Sequence, residues 1–249
     1  MDFASKPDPS AAGLVSLAYV GNERSLLEVA PTHLQSAGLR ATFFLEPVSL
    51  LENLAALKRL SEEGHEMGSA CLFGADDGEG NLPGWTLEMV EGELASALKL
   101  MSESFPSQAD FPFAYPGRDC RCLTSSFDPQ PTTYRRVVEQ VHSVAQTARQ
   151  GLNDLKDCVT SDLATILAEE MDATSLVQIA DRALAQGSWA ILVFEGVGSG
   201  RHSVDAYAHQ ALCRHLEPKR AQVQPVLRVA FGIRQRREAE WQRARAQQR

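Results

Sequence analysis

Two carboxylates and three thiols carry most of the chemistry this 249-residue chain can offer. Glu46 and Glu195 each follow a short apolar run. Carboxyl groups facing one another across a pocket are what glycoside hydrolysis requires, one protonated by burial and the other ionised. The same residue type also serves as a helix cap or an ion-pair partner, here for example of Arg40 or Arg118. Cys71, Cys120 and Cys122 offer three sulfurs to a zinc ion. The pair Cys120-Arg-Cys122 is a weaker zinc signal than doubled C-x-x-C spacing, and no fourth ligand is evident, so buried or loop thiols are the plainer reading. Asn22, Asn153 and Tyr115 can hydrogen-bond a sugar hydroxyl, and Arg118 and Asp119 add charged groups for binding. Trp85 and Trp189 offer stacking faces, although Trp189 begins the most apolar run of the chain and suits the core better. His65 reads as a satisfied structural imidazole, and His202 and His209 as members of a solvated helix face.

These groups need elements to hold them. Apolar runs at Leu14 to Val20, Arg40 to Leu45, His65 to Ala70, Phe111 to Tyr115, Ser143 to Ala148, Trp189 to Phe194 and Gln222 to Leu227 read as strands. Between most of them lie segments of helical period, such as Leu50, Leu54, Leu57, Leu60 and Leu87, Val90, Leu94, Leu98, Met101. A further stripe, Leu176, Ile179, Ala180, Leu184, follows the N-cap candidates Asp172 and Thr174. Gly38, Gly64 and Gly187 stand where a helix C-terminus wants positive φ. Strands alternating with helices give an α/β fold with a parallel sheet. Glu46, Cys71, Arg118, Asp119, Cys120, Cys122 and Glu195 all sit just after predicted strands, so a closed barrel brings them together. Two stretches, Gly74 to Gly84 and Arg118 to Thr133, read as loops bordering that face.

Composition excludes several classes of function. A net charge of -8 leaves no electrostatic footprint for nucleic acid. No apolar run approaches a membrane span, and Met1 to Gly13 has no export-signal pattern. Five cysteines without framework spacing point to reduced thiols and a cytoplasmic location. Ile233 to Arg249, with six arginines and two glutamates, reads as a solvated C-terminal helix.

Several phrases occur in a recognisable order: Leu14-Val-Ser-Leu-Ala-Tyr, Gly38-Leu-Arg-Ala-Thr-Phe-Phe-Leu, Leu60-Ser-Glu-Glu-Gly-His-Glu-Met-Gly, Phe113-Ala-Tyr-Pro-Gly, Ala148-Arg-Gln-Gly-Leu-Asn and Gly187-Ser-Trp-Ala-Ile-Leu-Val-Phe-Glu-Gly-Val-Gly. Together they resemble the polysaccharide deacetylase family, the NodB-homology domain of carbohydrate esterase family 4, over about Gly13 to Arg236. The resemblance implies a distorted (β/α) barrel of about seven strands. It also implies metal-dependent removal of acetyl groups from N-acetylated sugars. In the family's first motif, Thr-Phe-Asp-Asp-Gly, one Asp is the base and the next a metal ligand; Val20 and Gly21 stand there in this chain. In the second, His-Ser/Thr-x-x-His, both imidazoles bind the metal; here Ala70 and Gly74 replace them. The late motif's acid, a histidine, is matched by Glu195.

A divalent ion needs lone pairs at about 2.0 to 2.3 Å, and Val, Gly, Ala and Gly offer no side-chain donor. Without metal a water keeps a pKa near 15.7 instead of about 7, and without the Asp nothing takes its proton. The expected architecture is an N-terminal segment over residues 1–12, a deacetylase-like barrel over 13–232 and a charged helical tail over 233–249. The expected function is glycan or partner binding without hydrolysis, with no metal and no other cofactor. Two alternatives are an active hydrolase using Glu46 and Glu195, and an interaction protein whose arginine-rich C-terminal helix docks an acidic partner.

Overall fold

Every residue of Leu14–Val20 is buried, which a strand achieves only when both of its faces are covered. A computed structural model describes residues 12–72, 74–200 and 202–247. In chain order the elements are β1 (Leu14–Val20), α1 (Ser25–Glu28), α2 (Ala30–Ser36), β2 (Thr42–Leu45), α3 (Pro47–Glu62), β3 (Glu66–Ser69), α4 (Leu87–Ser104) and β4 (Phe113–Ala114). There follow β5 (Arg121–Leu123), β6 (Pro131–Thr133), α5 (Arg135–Val141), β7 (Ala145–Gln150), β8 (Asn153–Asp154) and β9 (Leu163–Leu167). The last are α6 (Ala173–Gln186), β10 (Ser188–Phe194), α7 (Ala206–Leu216) and α8 (Val226–Gln247).

Seven parallel strands run in the order β1-β2-β3-β4-β7-β9-β10, and β10 pairs back onto β1 to close a barrel. This is the α/β barrel that the sequence pattern predicts. Closure is irregular on one side, where β4 is two residues long and the register between β7 and β9 shifts between Gln146 and Gln150. The outward faces of the strands meet the helices through one cluster that includes Leu17, Tyr19, Phe43, Leu192 and Phe194. The inward faces form a second cluster that includes Ala18, Val20, Phe44, Trp189 and Ile191.

That inner cluster also contains Val226, Leu227, Val229, Ala230 and Ile233 of α8, so the C-terminal helix stoppers the barrel floor. Two expectations are corrected here. Gln222 to Leu227 is not a strand: Val223 makes one isolated bridge to Val15, and Val226 already begins α8. The seventh barrel strand is β9, whose Leu-Ala-Thr-Ile-Leu run is buried on nearly all sides. Arg118 to Thr133 is not all loop, since β5 and β6 pair there as an antiparallel hairpin. α8 runs unbroken across residues 232 and 233, with Ile233 buried and Arg237 donating to the carbonyls of Lys156 and Cys158. Of the expected N-terminal segment, 1–12, only residue 12 lies within the described residues. Among the described residues no helix is long and apolar enough to cross a membrane.

Candidate functional site: the barrel mouth

At the C-terminal ends of the strands lies a cavity of about 100 Å³. Its apolar wall includes Val20, Ala114 and Leu167, and its polar wall Glu195, Gln146 and Thr147. The strand pleat explains who faces inward: residues alternate sides, so Ala18 and Val20 of β1 point in while Tyr19 points out. Glu195 follows the last residue of β10, and burial raises its carboxyl above the usual range; His202 opposes that shift and Glu169 adds to it. His202 Nδ1 bonds Glu169 Oε1 beside it.

The carboxylate pair does not assemble. Glu46 is the N-cap of α3, and it does not line the cavity. Its carboxyl is raised by burial and then by Asp76, whereas the charges acting on Glu195 are His202 and Glu169. Glu195 lines the cavity and Glu46 does not, so the cavity does not present the two carboxylates together to one reacting bond.

The three thiols do not assemble either. Cys71, Cys120 and Cys122 are buried in a third apolar cluster with Leu72, Phe113 and Tyr134. Burial pushes the Cys71 thiol up to about 12 and raises Cys120 and Cys122, the opposite of what a thiolate ligand needs. Among the described residues no group of three or more His, Cys, Asp or Glu side chains could hold a metal ion.

Of the four positions that the resemblance aligns with metal and base residues, Val20 lines the cavity and Ala70 is fully buried in the barrel interior. Gly21 and Gly74 adopt φ of +108° and +80°, a region side-chain-bearing L-residues rarely enter, although a Cβ would meet nothing within 4 Å at either. Space for ligand side chains is therefore present, but neither the donors nor the backbone conformation to carry them. The residues at these four positions do not fit a divalent ion.

Of the other expected binding residues, Tyr115 lines the cavity with its ring under Arg135, whose guanidinium carbon lies 4.9 Å from the ring centroid. Asn22, Arg118 and Asp119 are exposed. Asn153 is not available to a sugar: it is buried, donating to Ala164 O and accepting from Ala164 N. Trp189 is wholly buried, with its indole N–H on Ser16 Oγ at 2.9 Å. Trp85 is partly buried against the third cluster. His65 is structural, accepting from Ala41 N at 3.2 Å, with its pKa pushed down to about 4 chiefly by burial. His209 is a core residue bonded to Tyr19 and His33, not part of a solvated face. Sequence reasoning missed Gln146, Thr147 and Thr165, which line the cavity from β7 and β9. The high share of polar residues in Ala145-Gln-Thr-Ala-Arg-Gln150, beside otherwise apolar strands, is the available signal for the first two.

No family model matches the chain, and no curated protein matches it significantly in sequence. Solved structures do share its fold. A deacetylase solved with its substrate is 15% identical, with a TM-score of 0.57, covering 90% of this chain and 94% of that one. The peptidoglycan deacetylase PdaC from Bacillus subtilis is 15% identical, with a TM-score of 0.55, covering 96% and 98%. A carbohydrate esterase family 4 pseudoenzyme from Bacillus anthracis is 12% identical, with a TM-score of 0.54, covering 88% of this chain and 66% of that one. The chain thus has the barrel fold of polysaccharide deacetylases.

Proposed function

We propose that this chain is a deacetylase-like barrel without a metal-dependent hydrolytic centre, holding a carbohydrate at its mouth and leaving it uncleaved. The observation that carries the reading is the contrast at one place: Val20, Gly21, Ala70 and Gly74 supply no donor, while Glu195, Gln146 and Thr147 still present polar groups to an open cavity. The structural neighbours include peptidoglycan deacetylases and a pseudoenzyme of the same fold, which supports an N-acetylated glycan as ligand. Five free cysteines suit a reducing compartment, in keeping with a cytoplasmic location.

Glycan binding needs only the residues present: Glu195 to fix hydroxyl groups, and the apolar wall to take a sugar face or an acetyl methyl. Hydrolysis needs more, namely a water made nucleophilic at neutral pH, and no described donor set supplies it. The test is incubation with N-acetylated chito-oligosaccharides plus zinc, cobalt or nickel, alongside calorimetric binding of the same sugars. Saturable binding without acetate release is the expected result. Acetate release that disappears in Glu195→Gln would overturn the reading.

A further inference from the structure

Beside the mouth cavity is a second hollow of about 420 Å³, and Thr147 lines both. Its wall carries three guanidinium groups, Arg118, Arg135 and Arg149, against one carboxylate, Asp162. Arg135 Nη1 lies 3.0 Å from Asp162 Oδ1 and Arg149 Nε lies 3.7 Å from Oδ2, so a single carboxylate serves two arginines. Arg135 is fixed further by its Nη2 donating to Arg118 O at 3.0 Å and by its stacking over Tyr115. The Arg118 side chain makes no hydrogen bond or ion pair with a described residue, and both Arg118 and Arg149 are exposed. In a chain of net charge -8, a hollow with two positive charges in excess is a local feature and not general basicity. Guanidinium forks match carboxylate and phosphate oxygens in pairs, which gives such a hollow a preferred ligand chemistry.

The adjoining cavity makes a complementary demand. Gln146 is 4% exposed and lines that cavity, yet its Oε1 accepts no hydrogen bond from a described residue. A buried acceptor left without a donor is costly, and a group arriving from outside would relieve it.

We infer that cavity and hollow form one two-part site for an acidic saccharide. A hydroxyl or amide N–H of the sugar donates to Gln146 Oε1, while a carboxylate or phosphate on the same saccharide is clamped by Arg118 and Arg149 against the fixed Arg135. The inference rests on the glycan reading above and narrows it from N-acetylated glycans in general to anionic ones.

The experiment is calorimetric titration of the full chain with neutral chitotriose and with a trisaccharide carrying N-acetylmuramic acid, whose lactyl group supplies the carboxylate. The acidic sugar should bind roughly tenfold more tightly, the worth of one charge-assisted pair. Arg118→Ala and Arg149→Ala should each remove most of that preference, and salt at about 0.5 M should shrink it by screening. Gln146→Leu should weaken both sugars alike, separating the cavity from the hollow. Equal affinity for the two sugars overturns the inference and leaves the glycan reading standing. If neither sugar binds, the glycan reading fails, and inorganic phosphate then decides the hollow alone. Saturable phosphate binding abolished by Arg118→Ala with Arg149→Ala supports an anion site; no phosphate binding overturns it.

Discussion

The two ends of the barrel treat polar groups differently. At the floor a bonded network surrounds Trp189 and Glu66, although nearby His142 Nε2 and Arg236 Nη2 have no hydrogen-bond partner among the described residues. The Trp189 indole donates to Ser16 Oγ, which donates to Gln224 O at 2.6 Å, and Thr42 Oγ1 donates to Glu66 Oε1 at 2.8 Å. The first turn of α8 completes this network: Val226 N donates to Thr42 Oγ1 at 2.9 Å and Leu227 N to Glu66 Oε1 at 2.8 Å. Two orphan donors of a helix N-terminus are thus satisfied by strand side chains instead of by a local cap. At the mouth, Gln146 Oε1 is buried without a partner among the described residues, and the strand ends surround open space. A saturated polar network specifies and stabilises a fold, while an unsaturated one beside a cavity costs stability and is relieved only by a ligand. The difference assigns structure to one end and binding to the other.

Substitutions break or sharpen that contrast. The largest effect belongs to Trp189→Ala at the floor, which removes a wholly buried side chain and one of the two hydrogen bonds of the Ser16 hydroxyl. Urea denaturation should show a loss of about 3–5 kcal/mol; a loss below about 1 kcal/mol would mean the floor is not the stabilising end.

The next effect is pH-dependent. Burial raises Glu66 from its ordinary 4.5 to about 7, against hydrogen bonds from Leu227, Thr42 and Arg228 that lower it. The folded state therefore holds a proton that the unfolded state releases. Stability from Glu66 is fully present below about 4.5 and is lost as pH rises toward about 7, then changes no further. The change amounts to roughly 3 kcal/mol. Glu66→Gln keeps an acceptor for Leu227 and cannot ionise, so denaturation across this range should show the slope vanish. An unchanged slope would contradict the assignment to Glu66.

The smallest effect is at the mouth. Gln146→Leu removes an unpaired acceptor, and stability should stay within about 1 kcal/mol of the parent or rise slightly. A loss like that at Trp189 would erase the distinction between the two ends.

The barrel was legible in the sequence wherever a strand was long and its neighbours were helical by period. Leu14–Val20 matches its predicted bounds, and Ser188–Phe194 starts one residue before its own. Asp172 caps α6 and Gly187 ends it with φ of +68°, as their residue types suggest. The errors came from short apolar runs, which periodicity cannot sort into strand or helix. Val223, Val226 and Leu227 looked like a strand, but the same face continues through Ala230 and Ile233 at helical spacing. Leu163–Leu167 was passed over because a strand buried on both faces shows no alternation.

The absence of side-chain metal donors at Val20, Gly21, Ala70 and Gly74 could be read from residue type alone. What the survivors do could not. Asn153 braces the floor, the three thiols fill a core and Glu46 stands outside the cavity that Glu195 lines, because convergence depends on side-chain direction. The arginine hollow joins Arg118, Arg135, Arg149 and Asp162 from four separate segments, and no sequence window contains it.

The central claim is that the mouth offers no home to a divalent ion. Metal analysis by mass spectrometry, on protein saturated with zinc and then dialysed, tests it most directly. The account predicts only trace zinc and no difference between the parent and Cys71→Ser. A full equivalent of zinc retained by each chain would contradict it.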